Sequence, residues 1–203
     1  MTGEIQPGDR APAPGELALV QSFINSHYDL EVEHGADLFA TPDALAAWLR
    51  RRGLLGSGES LEAADARSAR AVREALRSIA GANGDPDRSA PRHAIAALDG
   101  AARGVAVGIR FTGGEPRFVA ASGAGLELAL GVVLAITARA MIDGSWSRLK
   151  VCPGEHCGWA FYDHSRNQSG RWCSMAVCGG RAKARSHYRR HHGERRHRGR
   201  DDR

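Results

Sequence analysis

Four cysteines fall within 27 residues of a 203-residue chain: Cys152, Cys157, Cys173 and Cys178, spaced C-x4-C-x15-C-x4-C. Two close thiol pairs joined by a medium loop are how an all-cysteine zinc site is written in sequence. Zinc takes four thiolates in a tetrahedron with arms of ~2.3 Å, and two knuckles can deliver two thiolates each. Four thiolates close the coordination shell, so the expected Zn2+ is structural; a catalytic zinc keeps an open position. Disulfides would need an oxidising compartment, for which nothing in the sequence argues. His156 and His164 are spare donors. His156 adjoins Cys157, an awkward geometry for joint ligation, and neither histidine is assigned to the metal.

The stretch after the last cysteine, GGRAKARSHYRRHHGERRHRGR, is strongly cationic. Its Ala, Arg and Lys favour a helix through His192, although Gly179 and Gly180 weaken the first turn. Such a helix carries Arg181, Arg185, Tyr188 and His192 on one side and Lys183, His187 and Arg190 on another. Cations over most of a cylinder suit a phosphate-lined groove rather than a core. The loop DHSRNQSGRW (163–172) adds Arg166, Asn167, Gln168 and Arg171, types that pair with base edges or hold phosphates. The assigned nucleic-acid contacts are Arg166, Asn167, Arg171, Arg181, Lys183, Arg185, Arg189 and Arg190.

These groups need elements to hold them. Residues 148–192 contain few large apolar side chains, too few for independent stability, so zinc must carry that fold. With one knuckle at Cys173 and Cys178 in the opening turn of the helix, the arrangement is treble-clef-like. Upstream, helical spacing marks 16–28, 41–55, 59–84 and 91–99. Thr41 and Pro42 are start signals and Gly53 a stop. The period then changes: 103–111 and 115–123 flank a TGG turn as a β-hairpin, and an apolar helix follows at 124–142. That helix is read as buried core, since Glu127 and Arg139 interrupt it too early for a membrane span. The expected fold class is α+β, a mainly helical N-terminal domain with a small antiparallel sheet, plus the four-cysteine zinc finger. The expected boundaries are a disordered lead-in at 1–14, a domain at 15–147, the finger at 148–192 and a basic disordered tail at 193–203.

Charge follows the same division. Residues 1–147 carry 14 Arg against 18 acids, a balance of −4, and residues 148–203 carry 14 Arg plus Lys against 5 acids, a balance of +9. A basic segment on a mildly acidic body suits a polyanion, most commonly nucleic acid. No GxSxG, P-loop or GxGxxG occurs, and His27, His34 and His93 are dispersed, so no enzyme is expected. Asp29, Glu31, Glu33 and Asp37 read as a solvated acidic loop. The polar N-terminus has no export signal, which makes the cytoplasm the expected location.

LKVCPGEHCGWAFYDHSRNQSGRWCSMAVCGGRAKARSHYRR resembles the CGNR-type zinc finger of bacterial transcription regulators, whose pattern runs RLK-x-C, then C-x-W-x-F-x-D-x-S-[RK]-N, then RWCSM-x-x-CGNR-x-K. The match runs through Arg148–Lys150, Cys152, Cys157, Trp159, Phe161, Asp163, Ser165–Asn167, Arg171–Met175, Cys178, Gly179, Arg181 and Lys183. LALVQSFINS (17–26), DLFATPDALAAWLRRRGLL (37–55) and VREALRSIAGANGDP (72–86) resemble that family's companion, the ABATE domain. One departure stands out: the family's CGNR asparagine is Gly180 here. The resemblance implies a zinc-dependent DNA-binding transcription regulator whose N-terminal domain senses a small-molecule effector or forms a homodimer, with no membrane partner. Two other functions fit the same residues: an RNA-binding protein, and a zinc-stapled protein-interaction module.

Overall fold

The computed structural model describes residues 7, 10–27, 37–83, 85 and 87–198, apart from the side chains of 115, 122 and 190–198. Helix α1 (Leu17–Ile24) is followed by α2 (Pro42–Arg51), α3 (Ala63–Ala82) and α4 (Arg92–Arg103). The hairpin β1 (Ala106–Thr112) and β2 (Glu115–Ser122) leads to α5 (Gly125–Ile142). A short 3-10 turn (Ser145–Arg148) then enters a second hairpin, β3 (Leu149–Val151) and β4 (Ala160–Tyr162). A π-turn (Met175–Gly179) opens α6 (Gly180–Arg198). Both sheets are two-stranded and antiparallel, so the α+β class holds.

Local chemistry explains the boundaries. Thr41 Oγ1 accepts from Ala44 N–H at 3.2 Å, and Pro42 opens α2 where no amide is needed. Gly53, with φ +68°, lets the chain leave α2 in the left-handed conformation. Asp65 Oδ2 accepts from the Glu62 amide at 2.7 Å and fixes the start of α3.

The main core lies between α1, α2, α3 and α5. Phe23, Phe39 and Trp48 form its aromatic centre, with ring centroids 5.1, 5.8 and 5.3 Å apart. Each fully buried Leu, Val or Phe contributes roughly 1.5–3 kcal/mol to such a core. Helix α5 spans 18 residues and is apolar enough to cross a membrane by length and composition alone. Its Leu126, Ala129, Leu130 and Val133 are instead shared with α1 and α3 in the core, as a core helix requires.

One expectation needs correction, and the two ends of the chain add detail. Residues 1–6, 8 and 9 of the expected lead-in lie outside the described residues, and 10–13 lie against the domain. Ala13 is buried, and its amide donates to Gln21 Oε1 at 2.6 Å. Arg10 reaches across to the finger. At the other end, α6 runs to Arg198, past the expected helix end at 192. One glycine, Gly193, costs a helix only about 1 kcal/mol, and good helix formers flank it. Residues 199–203 lie outside the described residues. Finally, Asp37 is only partly exposed: it clamps the buried Arg73 at 2.6 and 3.0 Å. Burial alone would raise its pKa, but the Arg73 hydrogen bonds and charge hold the carboxyl below its ordinary value. Asp29, Glu31 and Glu33 lie outside the described residues.

Candidate metal centre and the surface it supports

Strands β3 and β4 pair Leu149 with Tyr162, Lys150 with Phe161, and Val151 with Ala160. Side chains alternate across a strand, so the hairpin has two faces. Leu149, Ala160 and Tyr162 join the core of the N-terminal domain, with Val151 packed beside them. Phe161 faces the other way, into a small second core with Trp159 and the four cysteines. One hairpin thus belongs to two cores, and the finger is not a bead on a linker.

Polar contacts fix the same junction. Asn25 pairs with both backbone groups of Ala160: Nδ2 donates to its carbonyl and Oδ1 accepts from its amide, each at 2.8 Å. Gln21 Nε2 also donates to that carbonyl at 3.1 Å. Asn83 Nδ2 donates to the carbonyls of Trp146 and Leu149, both at 2.8 Å. Arg77 donates to the carbonyls of Ile24, His27 and Gly158, joining body and finger through one guanidinium. Arg10 Nε and Nη2 donate to the carbonyls of Cys173 and Trp172 at 2.7 and 3.0 Å, and its guanidinium stacks 4.8 Å from the Phe161 ring centre.

The four cysteines converge where the spacing expects. All are buried, and their sulfurs lie within 4.8 Å of one another. Cys157 Sγ is 3.6 Å from Cys173 Sγ, which is 3.7 Å from Cys178 Sγ. A tetrahedron with ~2.3 Å arms has edges of about 3.8 Å, so the donor set fits a zinc ion. A Cβ at Gly154 would meet Cys178 Sγ at 3.2 Å and Cys152 Sγ at 3.4 Å, so the first knuckle closes tightly only around glycine. Burial raises the thiol of Cys178, and a bound dication would favour all four thiolates together. The spare histidines stand apart: His164 Nε2 lies 3.2 and 3.0 Å from the carbonyls of Ala11 and Pro12, and His156 is an exposed residue with φ +56°.

Beside the cysteines sits a polar scaffold that the residue types alone do not reveal. Asp163 is fully buried. Its carboxylate accepts from Lys150 Nζ at 2.8 Å, Ser165 N–H at 3.0 Å, Ser165 Oγ at 2.6 Å and Gly170 N–H at 2.7 Å. Lys150 Nζ also donates to the carbonyls of Gln168 and Gly170. Arg148 Nη1 donates to the carbonyls of Asp163 and Ser165 at 3.0 and 2.9 Å. This network shapes the turn at 165–170, in which Gln168 takes φ +52°. Only the RLK and D-x-S portions of the resemblance point to it, and spacing gives it no role.

The assigned nucleic-acid residues divide between the segment 166–171 and α6. Arg166, Asn167 and Arg171 are exposed on the supported turn, and Asn167 Oδ1 accepts from Ser169 Oγ at 2.9 Å. Lys183, Arg185 and Arg189 are exposed along α6, and Arg181 is half-buried at its start. Arg185 Nη1 approaches Glu155 Oε2 of the first knuckle at 3.6 Å. The side chain of Arg190 lies outside the described ones. Gly180, where the family pattern has Asn, is helical at φ −62° and ψ −47°. A Cβ there would find only the Met175 carbonyl, at 3.6 Å. The position therefore tolerates a side chain, and this chain lacks one.

The family comparisons agree with this architecture. Residues 148–191 match the family described as "CGNR zinc finger". Residues 17–144 match the family ABATE, described as "Putative stress-induced transcription regulator". No curated protein matches the chain. With well over half its length inside that second match, and the finger match beginning four residues after it ends, the chain belongs to the ABATE family and carries the family's CGNR zinc finger.

Proposed function

We propose that this protein is a zinc-dependent DNA-binding transcription regulator that acts in the cytoplasm and carries out no reaction of its own. One structural zinc, held by Cys152, Cys157, Cys173 and Cys178, orders the finger. The observation that carries the reading is the buried Lys150–Asp163 network beneath an exposed turn bearing Arg166, Asn167 and Arg171. A turn held this firmly has little backbone entropy left to lose on contact, although its side chains must still be ordered. Arg and Asn are the residue types that read guanine and adenine edges in the major groove. Lys183, Arg185 and Arg189 supply phosphate contacts along α6.

We propose the cleft between the two domains as the seat of effector sensing. That cleft encloses about 240 Å3 and is lined by Asp85 and Arg88 of the body and by Lys150, Gly170 and Arg171 of the finger. A small anion there would touch both domains and the base of the supported turn.

Fluorescence anisotropy with the zinc-loaded chain and a selected DNA duplex tests the reading over a range of salt. Neutralising Arg185 and Arg189 should flatten the plot of log K against log salt by about one unit per phosphate contact removed. Replacing Arg166 or Asn167 should instead erode preference between duplex sequences. Removing 179–203 should abolish binding. Unchanged binding in all three overturns the reading. Tighter binding of RNA than duplex DNA would make it an RNA-binding protein, and retained capture of a protein partner after neutralisation would make the finger an interaction module.

A further inference from the structure

Strands β1 and β2 form a ladder of only two strands, with Ile109 opposite Phe118 and Phe111 opposite Pro116. Alternation puts Val107, Ile109 and Phe111 on one face, and Phe118 joins them from across the ladder. These side chains are 45%, 63%, 74% and 36% exposed. At 150–250 Å2 for a large aromatic side chain, they present roughly 400 Å2 of contiguous apolar surface, at the level where such patches mark contacts. An isolated two-stranded hairpin is marginal in water. This one leans on α5, chiefly through β2, where Ala120 lies so close to Gly131 that a Cβ there would be 3.2 Å from Ala120 Cβ.

The two outer edges differ. That of β2 is blunted by Pro116 and by a bulge where the register shifts opposite Ala106 and Val107. That of β1 (AVGIRFT) has no proline, no bulged residue and one charge, Arg110. No strand among the described residues pairs with it. Proteins usually guard such an edge, and an unguarded one is a template for another strand.

We propose that β1 pairs antiparallel with β1 of a second copy across a two-fold axis at Ile109, giving a four-stranded sheet. Three observations select this occupant and register. Ile109 is the midpoint of Ala106–Thr112, so this axis alone overlaps the strand along its full length. Val107 then lies opposite the second copy's Phe111, and the apolar row continues unbroken across the axis. Arg110 falls opposite the second copy's Gly108. An axis at Arg110 would instead set two guanidiniums face to face, beside the Arg110–Arg117 pair already opposed within the hairpin. Isologous contact of this kind is the commonest route to a symmetric dimer. The contact is made by the paired strand backbones and by the lateral packing of Val107, Ile109 and Phe111 against their counterparts on the same face.

Light scattering on the eluting full-length, zinc-loaded chain gives the mass directly. The expected value is twice 21.7 kDa at tens of micromolar. Ile109→Lys sets two ammonium groups against each other on the axis and should return the 21.7 kDa species with helicity and zinc content unchanged. Ile142→Lys, at an equally exposed apolar position on α5, should leave the dimer intact. A photo-crosslinker at position 111, in a mixture of light and isotope-labelled chains, should join that residue to the peptide containing Val107 of the other copy. A monomer throughout, a dimer that survives Ile109→Lys, or crosslinks outside 105–112 would each overturn the proposal. If Ile109→Lys lowers helicity, the crosslink, made without that change, decides.

Discussion

Lys150 Nζ lies 2.8 Å from Asp163 Oδ2, and neither side chain is more than 6% exposed. Lys150 lies opposite Phe161, on the hairpin face that turns toward the cysteine core. Its other contacts all go to the turn that holds Arg166 and Asn167. A buried pair of this kind is weak as a source of stability but effective at fixing one geometry. Lys150→Met strands a buried carboxylate and should cost about 3–5 kcal/mol in urea unfolding. A loss under 1 kcal/mol would mean that water reaches the pair.

The pH dependence of the same carboxylate has a definite sign. Burial alone would raise its pKa, but hydrogen bonds from Lys150, Ser165 and Gly170 outweigh burial and hold Asp163 well below the usual carboxylate range. Its contribution is therefore complete above the unfolded value near pH 4 and is lost as pH falls through the folded value. The stability gap between wild type and Asp163→Asn should stay level from pH 5 to 8, as measured by chemical unfolding in zinc buffer. A gap that changes across that window would point to a different titrating group.

Metal removal should affect more than the finger. Structural zinc contributes ~10–16 kcal/mol in isolated finger peptides, comparable to the whole stability of an ordinary domain. Because β3 and β4 serve both cores, chelation or Cys173→Ser should lower the melting of the entire chain. Calorimetry should show one shifted transition, and mass spectrometry one zinc per native chain. An N-terminal domain that melts at its old temperature without zinc would disprove the shared core.

Arg77 ties two carbonyls of the body, those of Ile24 and His27, to one of the finger, that of Gly158. Replacing it with Met leaves the carbonyls of Ile24, His27 and Gly158 without a donor and should cost about 2–4 kcal/mol. Lysine should not rescue it, because one ammonium cannot span three carbonyls as a planar fork does. Full stability of Arg77→Lys in thermal unfolding would refute this role.

Two glycines in the finger should respond in opposite directions. Gly180 has helical angles and room for a Cβ, so Gly180→Ala should stabilise by about 0.5–1 kcal/mol. Gly170 is packed against the carboxylate of Asp163, and a Cβ there would lie 2.7 Å from Oδ1. Gly170→Ala should therefore destabilise and weaken DNA binding together. Denaturation midpoints and anisotropy on the two variants check both statements.

Amino-acid types and spacing alone determined the metal set, the helical periods, the first hairpin and the charge division. Each is a local property: a thiol pair with four residues between its members can close a knuckle, and a 3.6 repeat gathers its apolar residues on one side. The Lys150–Asp163 scaffold, the Arg77 bridge and the reach of Arg10 to the Cys173 carbonyl were decided only by tertiary structure. Their partners lie 13, 81 and 163 residues apart, and no local period encodes which distant carbonyl a guanidinium will meet. The division of β3 and β4 between two cores escaped for a related reason. Three-residue strands carry alternation too short to read, and which neighbour covers each face depends on how the whole chain packs.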